Sequence, residues 1–238
     1  MNAEAMALIE LLSCLVFVVF MLKYFGTSGL YVYMSIISVV ANIQNLRIAS
    51  FSFIENPMAL GSITFSTIFI VTNLMTEYYG QTAAKRGVLL SLVGYALFSI
   101  LMLTTTNYPA SICVPPGVLD MHVELSRVFA PTPYLMVASV LAFVIGQRTN
   151  VAVYAIVKRI TSTKFIWVRS FASLVISIFI DAVVYAVLAW KILYKLPIGW
   201  DTLFKTYILA NYVFTVTISL CGSPIVCVAK KFIPASKK

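Results

Sequence analysis

The chain has 238 residues, of which 61% are hydrophobic and 11% charged, with a mean hydropathy of +0.97. A soluble domain cannot hide so large an apolar share, so composition excludes ordinary soluble enzymes and binding modules and predicts a polytopic membrane protein. The formal net charge of +9 reports loop topology and contact with anionic lipid, and does not imply a nucleic-acid partner.

A span needs roughly 20 mainly apolar residues to cross the hydrocarbon layer. About seven such stretches occur, near 5–22, 29–46, 58–78, 88–106, 134–157, 168–190 and 206–229. The expected fold class is all-α, a polytopic integral membrane helix bundle. No Lys or Arg precedes the first stretch, and Lys23-Tyr24-Phe25 follows it where a cleavage site would need small residues. It therefore reads as a retained span rather than a secretory signal. The longest connection, about 107–133, contains Pro109, Pro115, Pro116, Pro131 and Pro133. Such proline density predicts an irregular surface loop with at most a short helix.

Basic residues fix the expected orientation. Lys23 follows the first span, Lys85 and Arg86 the third, Lys158, Arg159, Lys164 and Arg169 the fifth, and Lys230, Lys231, Lys237 and Lys238 the seventh. The opposite side receives only Arg47, Arg127, Lys191, Lys195 and Lys205, and Arg148 falls within a span. Cytoplasmic loops are enriched in Lys and Arg, so the N-terminus is expected outside and the C-terminus in the cytoplasm.

The inventory for catalysis is thin. Cys14, Cys113, Cys221 and Cys227 form no C-x-x-C pair, and His122 is the single histidine. Neither a thiolate metal site nor a zinc or haem centre can be built from them. Glycine-rich phosphate loops are missing as well, so ATP-driven transport would need a separate ATPase subunit. No cofactor, metal or catalytic residue is expected.

What the chain does contain is a patterned polar minority. Ser35/Ser38/Asn42/Asn45, Ser66/Asn73/Glu77, Gln147/Asn150/Tyr154, Ser173/Ser177/Asp181/Tyr185 and Asn211/Thr215/Ser219 recur in steps of three, four and seven. Each set lies on one face of its helix, which predicts polar stripes turned toward a common interior. Asp181 stands out because it sits near the middle of the apolar run from Val168 to Trp190. Insertion of a carboxylate there costs about 2.5–3.5 kcal/mol. Either it binds a substrate or a proton, or it makes an interhelical hydrogen bond or an ion pair with Arg148.

The run from Thr72 to Arg86, reading TNLMTEYYGQTAAKR, resembles the signature of the queuosine-precursor transporter family, also called the vitamin-uptake-transporter family. Its span ends in an acidic residue, a glycine and an Ala-rich basic turn. Three further segments are similar in the same order: Gly146-Gln147 through Asn150, Val151, Val153 and Tyr154; Ser173 and Ser177 to Asp181; and Tyr212 to Ser223-Pro224. Ala41-Asn42 matches a pair in the first family helix. The resemblance covers about 29–230, which implies an extra N-terminal span at 1–28 added to a six-helix transporter core at 29–238. Four positions depart from the pattern: Asn73 and Asn150 stand where the family carries acids, Ile178 where it carries Gln, and Thr215 where it carries Lys.

The resemblance implies import of a 7-deazaguanine base across the cytoplasmic (inner) membrane, with queuine among the candidates. Carboxylates and amides suit the donor and acceptor edge of such a base, and aromatic side chains suit its face. The expected substrate-binding residues are Asn42, Asn73, Glu77, Gln147, Asn150, Asp181, Tyr185 and Thr215. Expected partners are the small-molecule base and the lipid bilayer, together with a homo-oligomer or energising ATPase subunits. Two alternatives stand beside this: a substrate-binding membrane subunit of a partner-energised uptake system, and an intramembrane enzyme using Asp181 and Glu77.

Overall fold

The computed structural model describes residues 2–109, 116–129, 133–161, 165–193 and 199–233. Cys113, Pro115, Pro131, Lys164, Lys195, Lys237 and Lys238, named above, lie outside them.

Helix α1 (Ala3–Gln44) is two antiparallel legs rather than one rod. Its backbone breaks at Gly26, with φ 59° and ψ −133°, a region that L side chains avoid. Gln44 Nε2 donates to Glu10 Oε1 at 2.6 Å, although 34 residues of straight helix would hold the two about 51 Å apart. The legs correspond to the first two expected spans, joined with almost no loop.

Between the second and third spans the chain forms a small antiparallel hairpin where a plain loop was expected. Strands β1 (Ile48–Phe51) and β2 (Ile54–Ala59) pair Ile48 with Ala59 and Phe51 with Ile54. Phe51 is buried, and its ring lies 4.8 Å from that of Phe214, with Phe53 stacked 6.0 Å from the same ring. Glu4 Oε1 accepts the Ser52 N–H at 2.8 Å, which ties the hairpin tip to the first leg of α1. Pro57 is tolerated because a two-stranded sheet has only edge strands.

Helix α2 (Gly61–Tyr78) is the centre of the bundle, and every residue from 66 to 76 is buried. It starts three residues later than expected because β2 claims Met58 and Ala59. At its far end Gly80, with φ 84°, turns the chain directly into α3 (Gly80–Thr106), so the expected loop at 79–87 is helical. Helix α4 (Pro116–Phe129) occupies much of the long connection and rests Phe129 edge-on against Phe98, at a ring distance of 5.8 Å. Helix α5 (Pro133–Ile160) follows.

The last two passes are α6 (Ile166–Ile192) and α7 (Trp200–Phe232). Both are wound as π-helix near the end where they meet, at Val187–Ile192 and Leu203–Leu209, and Trp190 packs on Tyr207 there at 5.0 Å. Pro224 restarts α7 because it lacks an N–H for the helical ladder. Among the described residues five helices are long and apolar enough to cross a membrane: α1, α3, α5, α6 and α7. With α1 folded back on itself and α2 enclosed by its neighbours, the described residues form an all-α polytopic bundle of seven passes.

The passes align so that Lys23, Lys85, Arg86, Lys158, Arg159, Arg169, Lys230 and Lys231 gather toward one end, as Tyr78 Oη to Val226 O and Lys158 to Glu77 register. The β-hairpin, α4 and the α6–α7 turn lie at the other.

The Gly26 turn generates a stability prediction. Gly26→Ala forces an L side chain into the ε-like region and is expected to cost about 1–3 kcal/mol, read as a lower unfolding midpoint in detergent. An unchanged midpoint would mean that the two legs do not depend on this turn.

Candidate functional site

Polar side chains of α2, α5 and α6 meet along one seam. On α2 the residues are Thr72, Asn73, Thr76 and Glu77; on α5, Gln147, Asn150, Tyr154 and Lys158; on α6, Arg169, Ser170, Ser173, Ser177 and Asp181. Their spacing of three and four residues keeps each row on one helical face. Small residues let the helices close: a Cβ on Gly146 would lie 2.9 Å from both Cβ and Oδ1 of Asp181.

At the basic end of the seam Glu77 of α2 is held by three side chains from two helices, α5 and α6. Arg169 Nη1 donates to Glu77 Oε1 at 2.9 Å and to Oε2 at 2.8 Å, Tyr154 Oη donates to Oε2 at 3.0 Å, and Lys158 Nζ stands 3.4 Å from Oε2. Lys158 also donates to the Glu77 carbonyl at 2.5 Å. Arg169 is 2% exposed and anchors its other face on Thr161, through Nε to Oγ1 at 2.9 Å and Nη2 to the carbonyl at 3.1 Å. Lys85 and Arg86, the basic residues nearest to Glu77 in sequence, make no ion pair with it among the described residues. Arg169 was counted only as a loop charge; its place at the start of an apolar span was the signal that it needed a buried acid.

The next rungs are amides paired with hydroxyls. Asn73 Nδ2 donates to Ser170 Oγ at 3.1 Å, and Ser173 Oγ donates to Asn73 Oδ1 at 3.1 Å. Asn150 Nδ2 donates to the Phe69 carbonyl at 3.1 Å, while Ser177 Oγ approaches Asn150 Oδ1 at 3.3 Å. Asn73 is satisfied on both sides by serine hydroxyls, and Asn150 by a backbone carbonyl on one side and a serine hydroxyl on the other. Gln147 accepts from Thr72 Oγ1 at 2.8 Å. Its Nε2 and Asp181 Oδ1 are buried atoms with no hydrogen-bond partner among the described residues. Arg148 is exposed on the outer face of α5, and no ion pair joins it to Asp181 among the described residues.

The structure thus places Asn73, Glu77, Gln147, Asn150 and Asp181 on one seam, with the half-buried Tyr185 one turn beyond Asp181. Asn42 lies apart, on the second leg of α1. Its Nδ2 donates to Ser38 O at 2.7 Å and its Oδ1 accepts from Ser139 Oγ at 3.3 Å. It lines a small cavity of about 10 Å³ with Ser38, Ser91, Tyr95, Ser139 and Phe143, room for about one water. Thr215 is buried on α7. Among the described residues no three His, Cys, Asp or Glu side chains converge as metal ligands.

Removing one partner of a buried ion pair leaves the other charge uncompensated. Arg169→Met is therefore expected to destabilise the fold by about 3–5 kcal/mol, and Arg169→Met with Glu77→Gln to recover much of that loss. Unfolding midpoints of the two single variants and the double variant check this, and additive losses would show that the pair is not coupled.

The family described as "Putative vitamin uptake transporter" matches residues 59–229, from the end of β2 to the last turn of α7. A protein of Bacillus subtilis (strain 168) named "Probable queuosine precursor transporter" is 27% identical over 226 residues, which is 93% of this chain and 93% of that one. No solved structure matches. A family match spanning most of the bundle, seam included, places this chain in the vitamin-uptake-transporter family of membrane transporters.

Proposed function

We propose that the chain imports a queuosine precursor, a 7-deazaguanine base such as queuine, across the cytoplasmic membrane through the α2–α5–α6 seam. The observation that carries this reading is the seam itself: a row of amides, hydroxyls and two carboxylates kept inside an uptake-family bundle, where apolar residues would pack at lower cost. The name of the Bacillus subtilis relative supports the substrate class. Asn73, Gln147, Asn150, Asp181 and Tyr185 are assigned to the base, with Asn42 and Thr215 on the flanking helices.

Glu77 has a second part in this scheme. Its bonds to Arg169, Tyr154 and Lys158 close the seam at the basic end. Alternating access then requires this closure to release. The basic end is assigned to the cytoplasm, so the N-terminus and the β-hairpin face outward.

The transport reading is tested in cells that lack both queuosine synthesis and their own importer, supplied with one deazaguanine at a time. Expression is expected to restore queuosine in transfer RNA, and Asp181→Ala at matched protein level to cut the rescue by about tenfold or more, the equivalent of one charge-assisted hydrogen bond. No rescue by any base, despite inserted protein, would sink the proposal. Orientation is read separately in a background without the natural cysteines: Ser52→Cys should react with an impermeant maleimide in intact cells, and Lys230→Cys only after lysis. The reverse pattern would invert the assigned topology.

A further inference from the structure

A second polar cluster lies apart from the seam, between the second leg of α1, α3 and α5. Ser38 and Asn42 of α1, Ser91 of α3 and Ser139 of α5 line its cavity of about 10 Å³. Glycines on α3 draw the walls together: a Cβ on Gly87 would stand 3.0 Å from Met34 Sδ, and one on Gly94 3.3 Å from Ser35 Cβ, both on that leg of α1. Ser38 is 4% and Ser91 0% exposed, so their oxygens are cut off from bulk water.

The hydrogens of this cluster are already spent. Ser38 Oγ donates to Ser35 O at 2.8 Å and approaches Ser91 O at 3.3 Å, and Ser91 Oγ donates to Gly87 O at 2.7 Å. Ser139 Oγ donates to Asn42 Oδ1 at 3.3 Å, and Asn42 Nδ2 donates to Ser38 O at 2.7 Å. Tyr95, which also lines the cavity, has its hydroxyl beside that of Ser99. A hydroxyl carries one hydrogen and two lone pairs, so the three serines keep acceptor capacity after bonding, as does the Asn42 carbonyl oxygen. A water has two hydrogens and satisfies at most two of these four oxygens, whereas a small cation engages all of them.

The local field favours positive charge. Asn42 lies in the last turn of α1, which ends at Gln44 and holds no basic residue, so the negative pole of the helix dipole is uncompensated there. Glu10 bonds to Gln44, two residues from Asn42, and Arg47 is exposed beyond the helix end. Among the described residues no carboxylate lines the cavity, and neutral oxygens do not offset a divalent charge in hydrocarbon. Neutral oxygens do replace the hydration shell of a monovalent alkali ion. A void at the lower bound for one water suits Na⁺ better than the larger K⁺.

We infer that Ser38, Asn42, Ser91 and Ser139 form a Na⁺ site whose occupancy is coupled to import. Phe65 and Phe143 also line the cavity, with their rings 5.7 Å apart, and Phe65 packs on Phe69 at 5.6 Å. The Phe69 carbonyl holds Asn150, and Phe143 lies one turn of α5 before Gln147. An ion that draws α1, α3 and α5 together therefore acts on the helix that brings Gln147 and Asn150 to the seam. An inward Na⁺ gradient then supplies the driving force. The coupling rests on the transport reading above; the ion site does not.

The test uses the purified full chain. In detergent its unfolding midpoint is followed in NaCl, KCl and choline chloride at equal ionic strength. Na⁺ is expected to raise the midpoint saturably by about 2–4 °C over the other two salts. Ser139→Ala, at a half-buried position, is expected to remove the rise. Asn42→Asp adds a charged ligand and is expected to lower the half-saturating Na⁺ concentration about tenfold, a gain that misfolding cannot produce. In liposomes, uptake of labelled 7-deazaguanine is expected to run about tenfold faster with an inward Na⁺ gradient than with K⁺ in its place. Equal midpoints in the three salts, or a Na⁺ rise that both variants leave unchanged, overturn the site. A Na⁺ rise that responds to both variants, with uptake equal in Na⁺ and K⁺, overturns the coupling. Absence of uptake in every salt, with the Na⁺ rise intact, sinks the transport reading and leaves the ion site standing.

Discussion

A helix that touches its neighbours on every side has no place to put a polar group except against them, and α2 is in that position from residue 66 to 76. In hydrocarbon an unpaired polar group costs several kcal/mol, so Thr72, Asn73 and Glu77 dictate what α5 and α6 must bring: Gln147, Tyr154, Lys158, Arg169, Ser170 and Ser173. The close packing of α5 on α6, with Gly146 lying flush against Asp181, follows from the same demand. Apolar contact supplies the bulk of the bundle, while these bonds choose its register.

The passes themselves were legible in the sequence because a bilayer writes its thickness into the chain as apolar blocks. Their ends were less so. A single glycine turns the corner at Gly80, so a loop inferred from Lys85 and Arg86 is in fact the first turns of α3. The hairpin at 48–59 escaped because its strands are only four and six residues long and lie where an ordinary loop would also satisfy the hydropathy pattern. Tertiary contacts with α7, through Phe51 and Phe214, hold it in place, and no local signal encodes them.

For the site, periodicity gathered Asn73, Glu77, Gln147, Asn150 and Asp181 onto faces that do converge. It could not say which are saturated. Asn73 and Asn150 are bonded at both ends, whereas Gln147 and Asp181 are not, and that difference depends on where Ser170, Ser173, Ser177 and Thr72 fall on neighbouring helices. Arg169 was hidden for a related reason. Counting basic residues by loop treats each as solvated, and only the fold reveals that this one is drawn 2% exposed onto Glu77.

The one-residue turn at Gly26 bears on how the chain gets into the bilayer. With no long hydrophilic linker between them, the two legs of α1 can enter the bilayer as one folded unit. Glu10 is the group that would resist such a step, and its partner Gln44 is carried on the opposite leg of the same unit. The costliest side chain of the first pass therefore arrives already bonded, and Thr64 of α2 completes the contact through Gln44 Oε1 when the next helix docks. Biogenesis and stability of the N-terminal region are on this account a single problem, solved inside the first 44 residues.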